Sequence, residues 1–295
     1  MSTIAPLRIA FIGFGQLGSA IARGLVGQPG VTATTYDPGG GARVQERAAA
    51  AGVRTLDTPS ALVDADLVLS TVTPQCALDA ARACAGALAP DAIYVDLNSL
   101  GPREKVAVGE AVAAAGRRFV DGAVLGAAAD GHKVVIIASG ADAAEVAQRL
   151  APTGMRVRPV GVRPGQAAAI KIVRSVLAKG LEALYVEALV AARRMGVERE
   201  VLDTFCEFLD ARSAAATAEL LVTTHVKHAE RRMHELDMSV AAVAETGLEP
   251  RLARAIRDVL AATAASDVAT KFGGELPPNL DAALAALDDS LGVHA

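Results

Sequence analysis

A chain of 295 residues, 52% hydrophobic and 3% aromatic, with a formal net charge of −4, has apolar material for a large core and a length that suggests about two domains. The mild negative balance excludes a surface built for nucleic acid or for an anionic membrane. Cys76, Cys84 and Cys206 show no CxxC spacing, which speaks against a disulfide framework or zinc site and for a reducing compartment.

The opening MSTIAPLRIAFIG leads into a strand over Arg8 to Ile12 with no basic n-region and no cleavage site. No segment reaches about 18 uninterrupted apolar residues, so a soluble, cytoplasmic protein is expected. Gly13, Gly15 and Gly18 follow in GxGxxG spacing, and a helix with Leu17, Ile21 and Leu25 at helical spacing comes next. Each glycine has its own physical role. Gly13 permits the tight strand-to-helix turn, Gly15 lets backbone N–H groups approach a pyrophosphate, and Gly18 lets the helix pack close to the sheet. The phosphates would rest on the helix N-terminus, with its unpaired N–H donors and positive dipole end. Phe14, Gln16 and Leu17 complete this cofactor turn. A second strand, Val31 to Tyr36, ends in Asp37, about 20 residues after Gly18, where a carboxylate accepts both adenosine ribose hydroxyls and repels a 2′-phosphate. NAD is therefore expected over NADP. Asp37 in YDPGGG is equally ordinary turn chemistry, and nearby Arg43 would suit a 2′-phosphate, so NADP stays open.

Alternation then continues with a helix around Ala48 to Ala51, strand Leu67 to Val72, helix Cys76 to Leu88, strand Ile93 to Leu97 and helix Arg103 to Ala115. Strands Arg118 to Val124 and Lys133 to Ala138, helix Ala143 to Leu150 and a short strand Arg156 to Val160 complete it. This pattern predicts an α/β, doubly wound sheet. From Pro164 no strand-like run appears. Gly165 to Met195 reads as one helix, roughly 45 Å long, followed by helices at Glu198 to Leu209, Ala214 to Glu245, Pro250 to Ser266 and Leu280 to Leu287. The expected plan is a Rossmann-type dinucleotide domain over 1–162 and an all-α domain over 163–295.

A nicotinamide crossing such a sheet puts substrate at the carboxyl ends of the strands. Three loops lie there: Val72-Thr73-Pro74, Asp96 to Ser99, and Asp121 to Gly126. Asn98 and Ser99 offer neutral donors and acceptors for a carbonyl, hydroxyl or carboxylate, or one of them N-caps the next helix. In the long helix, Lys171 interrupts the apolar turn AAAIKIV. A lysine on an apolar face has a lowered pKa suited to proton exchange near neutral pH; the alternative is a lysine that snorkels at the helix edge. Ser175 shares its face one turn on, and Lys179, farther along the stripe, ranks second. His225 and His228 are helical neighbours, but no carboxylate or cysteine completes a ligand set at known spacing, so no metal is expected.

Taken in order, GFGQLG, DLNS at Asp96 to Ser99, FVDGAVLGA at Phe119 to Ala127 and GQAAAIK at Gly165 to Lys171 resemble the motifs of the β-hydroxyacid dehydrogenases. That group includes 3-hydroxyisobutyrate and 6-phosphogluconate dehydrogenases, and the resemblance covers nearly the whole chain. It implies that the catalytic lysine, which exchanges the proton of the substrate alcohol, falls on Lys171. It implies further that a cofactor-contacting segment falls on His234-Glu235-Leu236, and that the protein is a homodimer through its helical domain. Val72, Thr73, Pro74 and Asn98 are assigned to the cofactor, and Asn98, Ser99, Gly126 and Ser175 to the substrate. The departures gather on the substrate side: Asn98 stands for a serine, Leu125 for the serine of SGG, Ala127 for its second glycine, Ser175 for an asparagine and His234 for a lysine. Leu125 removes a hydroxyl that in the family helps hold a substrate carboxylate. The resemblance is therefore to a divergent branch with a phosphogluconate-dehydrogenase-like C-terminal domain. The expectation is an NAD(P)-dependent dehydrogenase acting on a small hydroxy or oxo substrate. Imine reduction, by relatives that generally lack this lysine, and nucleotide binding without turnover stay open.

Overall fold

Strands β1 (Leu7–Ile12), β2 (Val31–Tyr36), β3 (Arg54–Thr55), β4 (Leu67–Ser70), β5 (Ile93–Asp96), β6 (Arg118–Leu125), β7 (Val135–Ser139) and β8 (Arg156–Gly161) form one sheet in the order β3-β2-β1-β4-β5-β6-β7-β8. The structure is a computed structural model that describes residues 6–291; residues 1–5, part of the expected lead into β1, and 292–295 lie outside the described residues. Every strand pair is parallel except β6 with β7. The chain starts at β1, winds outward through β2 and β3, and returns to place β4 on the other side of β1. The switch point of this doubly wound sheet, where α/β folds bind ligands, is thus the crevice between the ends of β1 and β4.

Continuous apolar runs explain the central strands, since β4 and β5 are buried along their whole length. Alternate residues of β1 face opposite ways. Ile9 and Phe11 pack with Ile21 and Leu25 of α1 (Gln16–Leu25), Ala48 of α2 (Ala42–Ala50) and Val146 of α5 (Ala143–Leu150). Ala10 and Ile12 pack in the other layer with Ala81 of α3 (Ala77–Cys84) and Val112 of α4 (Pro102–Ala114). Both sheet faces are therefore covered. Strand β3 has no counterpart in the sequence reading, because two exposed residues carry no alternating pattern.

The chain divides into two compact units, Met1–Val176 and Leu177–Ala295. The expected boundary at 162/163 differs from this division, which falls inside helix α6 (Gln166–Met195). The reason is local: the amides of Gly165 and Ala168 bond to Asp121 of β6, which fastens the first turns of α6 to the sheet. The second unit holds the rest of α6, then α7 (Glu198–Asp210), α8 (Ala214–Glu245), α9 (Arg251–Ala264) and α10 (Leu280–Leu291), with no strand among its described residues. Val226, Val268, Ala283 and Ala286 form a core there. Ser213 caps α8 by accepting from the Ala216 amide, and the Glu187 carboxylate accepts from the Leu252 and Ala253 amides at the start of α9.

Candidate active site

The three glycines of the turn between β1 and α1 stand in different surroundings. Gly13 has φ +82°, and a Cβ there would lie 2.7 Å from a Val72 methyl, so both backbone and space demand glycine. A Cβ on Gly18 would lie 2.5 Å from Thr71 Oγ1, and the Thr71 hydroxyl itself donates to Gly13 O at 2.6 Å. Helix and sheet are therefore in close contact at the switch point. Gly15 differs, since nothing lies within 4 Å of its missing Cβ and no side chain caps the helix it begins. That open ground in front of first-turn N–H groups fits a pyrophosphate.

Asp37 reaches back into the same turn. Its Oδ2 accepts from the Phe14 amide at 2.8 Å, and its Oδ1 from the Gly39 amide at 2.9 Å. The turn role weighed for it is thus present, and it reaches the cofactor turn as well. A carboxylate has about four acceptor sites, so two amides leave capacity for ribose hydroxyls. Arg43 is exposed in the first turn of α2.

At the carboxyl end of the sheet, Ser70, Asp96, Asp121 and Ser139 pair successively across β4, β5, β6 and β7 and form one polar row. Lys105 of α4, only 1% exposed, inserts its ammonium between the two carboxylates. Its Nζ donates to Asp96 Oδ1 at 2.6 Å, Asp96 O at 2.7 Å and Gly122 O at 3.0 Å, and lies 3.3 Å from Asp121 Oδ1. Asp121 Oδ2 in turn accepts from Ser139 Oγ and from the Gly165 and Ala168 amides. Ser139 Oγ takes the Ala167 amide at 2.9 Å. Sequence reasoning missed Lys105, although Lys105, Val108, Gly109 and Val112, at i, i+3, i+4 and i+7, form the buried face of α4.

Asn98 and Ser99 have different fates. Asn98 is 5% exposed, and its amide group donates to Ser70 Oγ and Asp96 Oδ2, both at 3.0 Å. The neighbouring carboxylate accepts only, so the NH2 must face it and the orientation is fixed by chemistry. With both hydrogens used, the Asn98 side chain has no donor left for a carbonyl or carboxylate. Neither residue caps α4. Gly101 is the cap, and its amide donates to Glu104 Oε2 at 2.6 Å. Ser99 is exposed, and its Oγ accepts a hydrogen bond from Lys171 Nζ at 2.9 Å.

Lys171 is half-buried, and its pKa is held below the ordinary lysine value, first by burial and then by the positive charge of Lys105. Ser175 lies half-buried one turn along α6, and Lys179 is exposed. Leu125, the last residue of β6, is half-buried, and Gly126 after it is exposed; a Cβ on Gly126 would lie 2.8 Å from Asp130 Oδ2. The following turn, Ala128–Lys133, places His132 over Gly24 of α1. Val72 supports the glycine turn, while Thr73 and Pro74 are exposed beside it. His234 is exposed on α8 in the second unit, 3.8 Å from Asp237 Oδ2. No cluster able to hold a metal occurs among the described residues; His225 instead pairs with Thr263 Oγ1 at 2.8 Å.

Residues 8–161 match the family described as the NAD binding domain of 6-phosphogluconate dehydrogenase, and residues 192–263 match a domain of unknown function, DUF1932. A conserved hypothetical protein from Sinorhizobium meliloti 1021 is 35% identical, with 88% of this chain and 89% of that chain covered and a TM-score of 0.64. A conserved protein of unknown function, described as structurally similar to 3-hydroxyacid dehydrogenases, is 32% identical over 88% of this chain and 98% of that one, also with a TM-score of 0.64. An imine reductase variant from Myxococcus stipitatus, in complex with NAD+, shares the fold with a TM-score of 0.74 at 20% identity, over 96% of this chain and 100% of that one.

Proposed function

The chain belongs to the family that carries the NAD-binding domain of 6-phosphogluconate dehydrogenase, and from that membership we propose that it is a dehydrogenase acting on the CH–OH group of a small hydroxy or oxo substrate, with Lys171 as general acid and base. At the coarser level the protein is an NAD(P)-binding oxidoreductase of the hydroxyacid dehydrogenase and imine reductase type. When bound, the nicotinamide supplies or accepts the hydride. The observation that carries the proposal is Lys171 Nζ at 2.9 Å from Ser99 Oγ, with its proton affinity lowered by burial and by Lys105. In reduction the Lys171 ammonium gives a proton to the substrate oxygen; in oxidation its neutral amine takes that proton. Ser99, which accepts from Lys171, keeps its own O–H to donate to the same substrate oxygen. Gly126 and Ser175 complete the substrate side, and a hydroxy acid is the class favoured.

The cofactor assignment is NAD before NADP, because a carboxylate at Asp37 accepts ribose hydroxyls and repels a 2′-phosphate. The Gly13 to Gly18 turn would hold the phosphates, Val72, Thr73, Pro74 and Asn98 would border the nicotinamide half, and His234 is the proposed cofactor contact from the helical part. The test is turnover with Lys171→Ala, accompanied by a titration with NADH followed by nicotinamide fluorescence, which a chain without tryptophan leaves free of indole energy transfer. Turnover lowered by orders of magnitude with NADH affinity retained supports the role, and unchanged turnover removes it.

Reduction of a C=N bond is the second reading, favoured by the fold shared with an imine reductase. Activity on cyclic imines with none on any alcohol or carbonyl would select it, and NADH binding without turnover on either class would select a non-catalytic protein. We also infer a homodimer, because Leu177, Leu181 and Val186 leave apolar surface exposed along α6 in the second unit; a monomer in light scattering at micromolar concentration would contradict this. Three free cysteines and no helix able to cross a membrane among the described residues favour the cytoplasm.

A further inference from the structure

We propose that the buried cluster centred on Lys105 is a positioning device that holds Lys171 against Ser99, a role that rests on reading Lys171 as the proton-transfer group. Two halves of the site meet at this ammonium. On one side, Asp96 seats the Ser99 loop: its Oδ1 takes the Asn98 amide at 2.9 Å and its Oδ2 takes the Asn98 side chain. On the other side, Asp121 and Ser139 between them accept the amides of Gly165, Ala167 and Ala168 at the start of α6. Lys171 follows one turn later on that helix. The loop and the helix share no sequence neighbourhood, since Lys171 and Ser99 are 72 residues apart. Lys105 touches both anchors, within 2.6 Å of one carboxylate and 3.3 Å of the other.

The charge balance explains why a lysine is needed here. Asp96 and Asp121 are both completely buried and stand side by side on paired strands. Two buried acidic side chains so placed call for a cation between them, and the Lys105 ammonium stands there. Without Lys105, the repulsion between them would be uncompensated and would push apart the loop that Asp96 seats and the helix start that Asp121 seats. The same ammonium acts on Lys171 through space. Around that end of α6 stand Asp96 on β5, Arg103 and Lys105 on α4, Asp121 on β6 and Arg174 on α6 itself, and Lys105 is the charge that opposes protonation of Lys171. A purely structural cluster would stabilise the fold and leave the ionisation of Lys171 unchanged. A positioning cluster affects both.

The test measures Lys171 without needing a substrate. The full-length protein is labelled with acetic anhydride across alkaline pH, and the midpoint for Lys171 is read by peptide mass spectrometry against exposed Lys179 in the same molecule. In the parent, Lys171 labels with a midpoint below the ordinary lysine value of 10.5. In Lys105→Met, checked for a cooperative thermal transition, the Lys171 midpoint rises toward the ordinary lysine value, the part of the lowering that burial causes remaining. An unchanged Lys171 midpoint in the folded variant overturns the proposal. If Lys105→Met does not fold, Ser139→Ala carries the test, because it removes one hydroxyl from the α6 anchor. It then exchanges its Gly165 to Lys171 amides faster in deuterium and raises the Lys171 midpoint, and a parent-like result in both overturns the proposal. Loss of the dehydrogenase reading would show separately, as full turnover in Lys171→Ala, and would leave these labelling midpoints intact.

Discussion

Lys171 Nζ donates to Ser99 Oγ at 2.9 Å, which joins the first turns of α6 to the loop after β5 at the carboxyl end of the sheet. Removing the amine deletes the proton donor and acceptor, and general acid–base groups contribute about 10²- to 10⁴-fold. Lys171→Ala is expected to lose turnover in that range while binding NADH almost as the parent does. Ser99→Ala keeps the amine and loses one hydrogen bond, so its loss is smaller, about fivefold for roughly 1 kcal/mol. Steady-state kinetics beside a fluorescence titration would check both.

The lowered pKa of Lys171 gives a pH dependence with a definite sign. Oxidation needs the neutral amine, so its kcat/KM rises with pH through the native pKa, below the ordinary 10.5, while reduction falls over the same range. Stability follows from linkage. Between the lowered native value and 10.5 the unfolded chain binds more protons, so this group makes the protein more stable as pH rises through that window, and below it opposes folding. Lys171→Met should therefore melt above the parent at pH 7, with the difference shrinking toward pH 10, in parallel thermal scans.

Two glycines of the cofactor turn separate binding from folding. Gly15 has ordinary φ and ψ of −76° and −156° and open space at its missing Cβ, so Gly15→Ala should lower stability by less than about 1 kcal/mol. Its methyl occupies the ground a pyrophosphate needs, and NADH affinity should fall at least about tenfold, or 1.4 kcal/mol. Gly18→Ala puts a methyl onto the Thr71 hydroxyl and should lose about 1–3 kcal/mol of stability by overpacking. Thermal unfolding and NADH titration of both variants would show the contrast.

Asp37→Ala should weaken NADH by about tenfold or more, since hydrogen bonds to a charged acceptor contribute roughly 1.5–3 kcal/mol each. NADPH should lose less. Because the carboxylate also holds the Phe14 amide, part of the loss is common to both cofactors, and the informative quantity is their affinity ratio. A ratio that does not move would assign Asp37 to the turn alone.

The doubly wound sheet, the glycine turn and the long helix were legible because each is written locally, in an apolar run, a spacing or a helical period. The pairing of Lys171 with Ser99 was half legible: both residues stood out, but nothing in the sequence joins positions so far apart. Asn98 was read as offering donors and acceptors; its donors are taken by Ser70 and Asp96, contacts that exist only once β4 and β5 lie side by side. Asp121 read as a loop carboxylate, yet it caps a helix 44 residues downstream. Lys105 could have been found, since its spacing with Val108 and Val112 puts a charge on an otherwise buried face.

The anchoring of α6 by Asp121 and Ser139 also decides where the chain tolerates a change of length. Because the amides of Gly165, Ala167 and Ala168 are held in place, the azimuth of Lys171 is set by counting residues from that anchor. One residue inserted between Ala168 and Lys171 would turn the lysine by about 100° about the helix axis and carry it away from Ser99. The same residue inserted at exposed Val162, ahead of the anchor, would be absorbed as slack in the loop.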